Sequence, residues 1–270
     1  MLKSAQMGTG QQFLMPKNSS NIDLKLSIHI FNDGFYFSSN SEKNYFLYED
    51  INIFEEKEFT KFLDLNEIDD QNQVKLIFFD NPSMFTPSEL HAQENSKQLL
   101  SNYTELKKNH KVVSNITEDN KVCIIYQISK KMEKTINKCF NQIHYYHYSK
   151  ILYDDLQEFI KPYSDRKIRL FINLQKNIFD LFLMESNNLL VYNSFPHSNS
   201  DDFMYYLFAL IEEYKLSSDS LDILFLEKFD NYNNYYLGVN NFHDNIKFIE
   251  NDPQQNIYSN HPAPYFMNIL

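Results

Sequence analysis

At 270 residues, with 43% hydrophobic content, 24 Phe, 19 Tyr and no Trp, the chain is long enough for one large or two modest domains of roughly 150 residues, and too apolar to be disordered or fibrous. A net charge of -11 argues against a nucleic-acid partner, because affinity for a phosphate backbone comes from basic side chains that displace counterions. No apolar run reaches the 18 or so residues that a membrane-spanning helix needs, and Cys123 and Cys139, which lack CxxC spacing, read as reduced thiols of a cytoplasmic protein rather than as a disulfide or a metal pair.

Residues 1–20, MLKSAQMGTGQQFLMPKNSS, hold two of the four glycines and lack the apolar core of a signal peptide. They are expected to form a flexible leader, with Met15 as a second candidate start. LSIHIFNDGFYF, residues 26–37, then reads as a strand, a polar turn and a second strand. A glycine in such an element often marks a loop that cradles phosphate, which makes this turn a candidate nucleotide site.

NYFLY adds a third strand, IFEEKEFTKFLDL a helix and VKLIFFD a buried strand. After Pro87 the segment TPSELHAQENSKQLLSNYTEL reads as helical, HKVVSNI and NKVCIIYQI as a hairpin, and KKMEKTINKCFNQI as a helix again. IHYYHYS is expected to be a short strand leading into the helix KILYDDLQEFIK, which stops before Pro162. In the second half RLFINLQKNIFDLFLMESNNLLVY reads as three strands, and SDDFMYYLFALIEEY as a helix that Ser200 is placed to cap. LDILFLE reads as a buried strand, NYNNYYLGVNN as a helix or a loop, NIKFIE as a last strand, and the end of the chain as a mostly irregular tail.

A shift of 144 residues lays Lys25–Tyr48 on Arg169–Tyr192 without a gap. Leu26 falls on Leu170, Ile28 on Ile172, Ile30 on Leu174, Phe35 on Phe179, Phe37 on Leu181 and Asn44 on Asn188. What the two segments share is apolar alternation at period two, the signature of a three-stranded meander. Phe59 and Leu63 fall on Phe203 and Leu207, four apart in acid-started helices that bury one face. The repeating unit is β-β-β-α-β, used twice, with a segment inserted after the first copy.

Several side-chain groupings have plain structural readings. His144 and His147 share a face only on a helix, point to opposite faces on a strand, and lack a third metal ligand at a suitable spacing. Lys130, Lys131, Lys134 and Lys138 form a solvated helix face or, as the lesser reading, a docking stripe for an acidic partner. Asp154 and Asp155, and Asp201 and Asp202, are expected near helix starts, where they complement the dipole. Cys139 has no neighbouring His or helix N-terminus to activate it, and no Gly-x-Ser-x-Gly, P-loop or HExxH stretch occurs.

Two β-β-β-α-β units with an insertion in the first resemble the actin-like (ribonuclease H-like) superfamily, which includes sugar kinases and Hsp70 chaperones. On LSIHIFNDGFYF, NPSMFTPSEL, IFDLFLMESNNLLVYNSF and SDDFMYYLFALIEEYKL, over about residues 24–250, the chain is similar to a bacterial family known only as a domain of unknown function with an actin-like ATPase fold. It is more distantly similar to the actin-like proteins of pilus assembly and cell division.

That resemblance implies an Asp-x-Gly in each meander and a Gly-Gly after the second helix. The carboxylate would engage a metal, and the glycines would let backbone N–H groups approach phosphate. On this chain those positions fall on His29 and Phe31, on Asn173 and Gln175, and near Glu227 and Lys228. None of the three keeps its glycine. Asp33 and Gly34 sit a few residues late and are expected to form the tight hairpin turn itself.

The resemblance thus implies an α/β protein with a leader at 1–20, a first lobe with its insertion at 21–162, a second lobe at 163–252 and a tail at 253–270. The expected role is a non-catalytic binding or scaffold module with a degenerate nucleotide cleft, no cofactor, and a protein or peptide partner. The alternative is a nucleotide-binding protein or weak ATPase that takes ATP and Mg²⁺ through Asn32, Asp33, Asn177 and Asp180. A third reading, an RNA accessory protein recruited through KKMEKTINK, runs against the overall acidity.

Overall fold

The computed structural model describes residues 26–39, 43–47, 56–65, 73–162, 165, 167–243, 246–249 and 261–268. The expected leader with Met15, residues 163, 164 and 166 between the two expected lobes' elements, and the early part of the tail lie outside them.

In chain order the first strands are β1 (Leu26–Ile30), β2 (Gly34–Ser39) and β3 (Lys43–Leu47), an antiparallel meander. Helix α1 (Glu56–Leu65) then leads to β4 (Gln73–Phe78), parallel to β1. The inserted segment supplies β5 (Ser83–Pro87), α2 (Ser96–Tyr103), β6 (His110–Ile116) and β7 (Val122–Ser129). Helix α3 (Lys130–Cys139) and β8 (Gln142–His147), parallel to β4, return the chain to the main sheet. The sheet order is β3-β2-β1-β4-β8, and the insertion forms its own sheet, β5-β7-β6.

Helix α4 (Tyr148–Ile160) follows, and the division into two compact units falls within it, between Asp154 and Asp155. The second unit repeats the first with β9 (Ile168–Leu174), β10 (Ile178–Glu185), β11 (Asn188–Pro196), α5 (Ser200–Glu213) and β12 (Leu221–Leu226). Helix α6 (Asn233–Asn240) and β13 (Ile246–Ile249) complete it. Its sheet order, β11-β10-β9-β12-β13, is that of the first unit, with the same strand directions.

The repeat is therefore real in three dimensions, and the burial of matched positions explains why it could be read. Phe59 and Leu63 on α1 are buried, as are their mates Phe203 and Leu207 on α5. In the second unit these two pack with Leu170, Ile172, Phe179 and Leu181 on one face of the sheet. The other face carries Phe171 and Phe182, both wholly buried, with Phe159 of α4 against Phe171. A sheet covered on both sides needs apolar residues at every position, which is why β10 and β12 read as runs rather than alternations.

Four local expectations are corrected. The helix expected after Pro87 begins only at Ser96. Residues 88–90 form a single 3₁₀ turn, because the Ser88 N–H and hydroxyl are drawn to Lys121 and Asn120 carbonyls beside β7. Helix α5 is capped by Asn199, not Ser200: the Asn199 side chain accepts from the Asp201 and Asp202 N–H groups, both at 2.9 Å, and Asp202 returns a bond to the Ser198 N–H. Asp154 and Asp155 lie in the middle of α4, where Asp154 pairs with Lys150 at 2.5 Å and Asp155 accepts from the Tyr265 hydroxyl. Finally, Gly34 is not the left-handed residue of its hairpin. The turn is Asn32-Asp33, closed by the Phe31 N–H on the Gly34 carbonyl at 2.9 Å, and Gly34 opens β2 with no positive φ.

Candidate functional site

In open α/β sheets ligands bind outside the carboxyl ends of the parallel strands, so the residues that follow β1, β4 and β8, and their equivalents in the second unit, decide what each unit can hold. In the first unit these residues are aromatic and already packed. Phe31, just past β1, stacks on Phe79, just past β4, with ring centroids 4.5 Å apart. Phe79 stacks in turn on Tyr148, just past β8, at 5.2 Å and nearly parallel.

His29 lies at the end of β1, fully buried, with Nε2 at 2.7 Å from the Ser27 hydroxyl and its ring between those of Tyr36 and Phe79, each 5.5 Å away. Burial pushes the Tyr36 hydroxyl up to about 12. The imidazole thus stands where the resemblance implies a metal-binding carboxylate, held by a hydroxyl and two rings. The turn beyond it is engaged as well: the Asn32 N–H donates to the Asp80 carboxylate at 2.6 Å.

The second unit closes the same edge with polar groups. The cross-strand pair His29 and Tyr36 has as its repeat mate the pair Asn173 and Asp180. Asp180 is fully buried and accepts from Asn173 Nδ2 at 2.8 Å, Gln175 Nε2 at 2.9 Å and the Tyr192 hydroxyl at 3.1 Å. Asn173 and Gln175 therefore face the protein's own carboxylate. The Gln175 carbonyl accepts from His197 Nε2 at 2.9 Å, and because a carbonyl can only accept, that nitrogen carries the proton and Nδ1 accepts from the Tyr235 hydroxyl at 3.0 Å.

The turn after β9 is also occupied. The Lys176 N–H donates at 2.8 Å to the carbonyl of Pro262, part of a docked segment whose Ala263 and Phe266 are wholly buried. Glu227, past the end of β12, is buried and donates its N–H to Ile249. Its φ of 61° is left-handed, the conformation that favours glycine, so at the position where the resemblance implies a Gly-Gly the backbone has a glycine-like shape without the glycine.

Of the residues of the ATP-binding alternative, Asn32 and Asn177 are exposed on their turns, Asp33 is half-buried, and Asp180 is fully buried. His144 is exposed and His147 buried, on opposite faces of β8 as a strand requires. Among the described residues no three His, Cys, Asp or Glu side chains are grouped to hold a metal, and no helix is long and apolar enough to cross a membrane. Cys123 is buried, which pushes its thiol up, and Cys139 is half-buried with its Sγ on the Thr135 carbonyl.

Asp80, Tyr192, His197 and Pro262 escaped the sequence reading, as did the ring partners Phe79, Tyr148 and Tyr235. The available signal for the second unit was Asp180, a carboxylate inside the apolar run of IFDLFLME, whose register partner across the meander is Asn173.

Residues 16–246 match the model of a family described as "Protein of unknown function (DUF3822)". No curated protein matches the chain. Among solved structures it is similar to a Bacteroides thetaiotaomicron protein with an actin-like ATPase fold and unknown function, at 19% identity over 84% of this chain and 91% of that one, with a TM-score of 0.71. It is also similar to a chain of the PilM-PilN type IV pilus biogenesis complex, at 8% identity over 92% and 96% of the two chains, with a TM-score of 0.51. The fold is thus actin-like.

Proposed function

The chain belongs to the DUF3822 family, and we propose that it is a non-catalytic binding or scaffold module that engages another protein or peptide, and not an ATPase. The observation that carries the proposal is the filling of both phosphate-type turns from within. Phe31 is stacked on Phe79, Asn173 and Gln175 are spent on Asp180, and the Asn32 and Lys176 N–H groups already have protein acceptors.

A phosphate would have to displace a carboxylate at one turn and a docked segment at the other, and each exchange breaks a hydrogen bond already made. One similar structure is a complex of two proteins, PilM and PilN, which supports a protein or peptide as the partner class. A cytoplasmic setting fits the reduced thiols.

Calorimetric titration with ATP and Mg²⁺ tests the proposal. The expected result is no saturable heat; binding tighter than about 100 μM, or roughly -5.5 kcal/mol, would overturn it in favour of the nucleotide-binding alternative.

A further inference from the structure

Charge is distributed unevenly along this acidic chain. Between Lys107 and Lys138 there are eight lysines against Glu118, Asp119 and Glu133, a local excess of +5 in a protein of net charge -11, so the remainder carries -16. The structure gathers six of these lysines on one surface. On α3, Lys130, Lys131, Lys134 and Lys138 fall within about 100° of arc at 100° per residue, opposite the buried Ile136. The Lys130 N–H donates to the Asn109 carbonyl at 2.9 Å, which sets the turn carrying exposed Lys107 and Lys108 against the start of that helix.

The placement works against the fold's own electrostatics. Cations in the first turn oppose the helix dipole, and α3 opens on Lys130 and Lys131, whereas α5 opens on Asp201 and Asp202. The one acid in the first turn of α3, Glu133, is taken by Lys111 from the neighbouring strand. None of Lys107, Lys108, Lys130, Lys131 and Lys134 is in an ion pair among the described residues. A purely structural helix would gain by the reverse arrangement.

We propose that this lysine face is the docking surface for an extended acidic segment of a partner protein. The claim deepens the binding-module reading by naming the chemistry of its partner. Lys130 and Lys134 are spaced at about 6 Å along the helix, close to the roughly 6.8 Å between same-side residues of an extended chain, so alternate carboxylates of such a segment meet successive ammonium groups. A short peptide needs only this patch. The rest of the chain carries -16, which disfavours a longer polyanion such as a nucleic acid.

The test uses a fluorescent peptide of alternating Glu and Ala, titrated by anisotropy into the full chain. Three comparators accompany it: a Lys-Ala peptide, a single-stranded RNA of equal charge, and the variant K130E/K131E/K134E. The inference predicts that the acidic peptide alone binds, that binding weakens as salt rises, and that the triple variant loses at least about tenfold while K97E is unchanged. Since all three lysines are exposed, the variant is expected to melt with the wild type; if it does not, Lys-to-Gln changes at the same positions give the same comparison. No binding at low salt, equal binding by the variant, or RNA binding more tightly than the peptide overturns the inference. Nucleotide titration is read apart from it: a protein that binds both ATP and the peptide keeps this docking surface and loses the non-nucleotide reading.

Discussion

Asn32 and Lys176 occupy the same position in the two copies of the repeat, 144 residues apart, and each has its backbone N–H satisfied by an acceptor from elsewhere in its own unit. For Asn32 the acceptor is the Asp80 carboxylate at 2.6 Å; for Lys176 it is the Pro262 carbonyl at 2.8 Å. Two copies have thus closed the same turn by different chemistry, one with a side chain placed after β4, the other with a segment from the end of the chain.

Asp180 is the acceptor on which the second turn is organised. Asp180→Asn replaces the charged acceptor of Asn173 Nδ2, Gln175 Nε2 and the Tyr192 hydroxyl by a neutral amide with a single acceptor oxygen. The expected loss is on the order of 2 kcal/mol in urea denaturation. A variant with the wild-type midpoint would show that these bonds contribute little.

Phe31 is expected to behave as a core residue although it sits at a turn. Phe31→Ala removes the stack on Phe79 and is predicted to cost about 3 kcal/mol by the same measurement. A surface ligand-binding residue would lose well under 1 kcal/mol on truncation.

His147 supplies the pH dependence. Burial is the main cause holding it down at about 4, below its ordinary 6.5, with Nε2 at 2.7 Å from the Asn81 carbonyl and Nδ1 at 2.7 Å from the Ser149 hydroxyl. Between those two values the unfolded chain binds a proton that the folded chain refuses. The stability from the neutral ring is therefore complete above pH 6.5 and is lost as the pH falls towards 4, by on the order of 3 kcal/mol. Urea midpoints measured from pH 7 down to pH 4.5 should fall steeply for the wild type and more gently for His147→Gln.

Lys215 offers a gain. It follows α5 with a left-handed φ of 52°, in a cap where the Leu216 N–H reaches back to the Ile211 carbonyl. Glycine meets no Cβ penalty there, so Lys215→Gly should raise stability by about 1 kcal/mol, read as a higher melting temperature.

Much of the fold was legible because each lobe declares itself locally. The meanders at 26–47 and 168–196 carry period-two apolar patterns, and Leu26, Ile28, Ile30 and Phe35 are buried, as are their mates Leu170, Ile172, Leu174 and Phe179. What escaped depends on distant chain. Strand β5, SMFTP, has too little apolar content to announce itself and ends on Pro87; it exists because β7 pairs with it. The closing segment HPAPYFMN reads as irregular, yet Phe266 is wholly buried and Tyr265 bonds Asp155. That Phe31 and Gln175 stand where the resemblance implies glycines was visible in the letters. How the two turns were closed was not, since Asp80 is 48 residues and Pro262 86 residues from the N–H each engages.

The most direct test of that closure is amide hydrogen exchange at Asn32 and Lys176, followed by NMR with and without saturating ATP and Mg²⁺. The account predicts that both amides are protected in the free protein and that nucleotide leaves their rates unchanged. Fast exchange in the free protein, slowed when ATP and Mg²⁺ are added, would contradict it and show that the turns still receive phosphate.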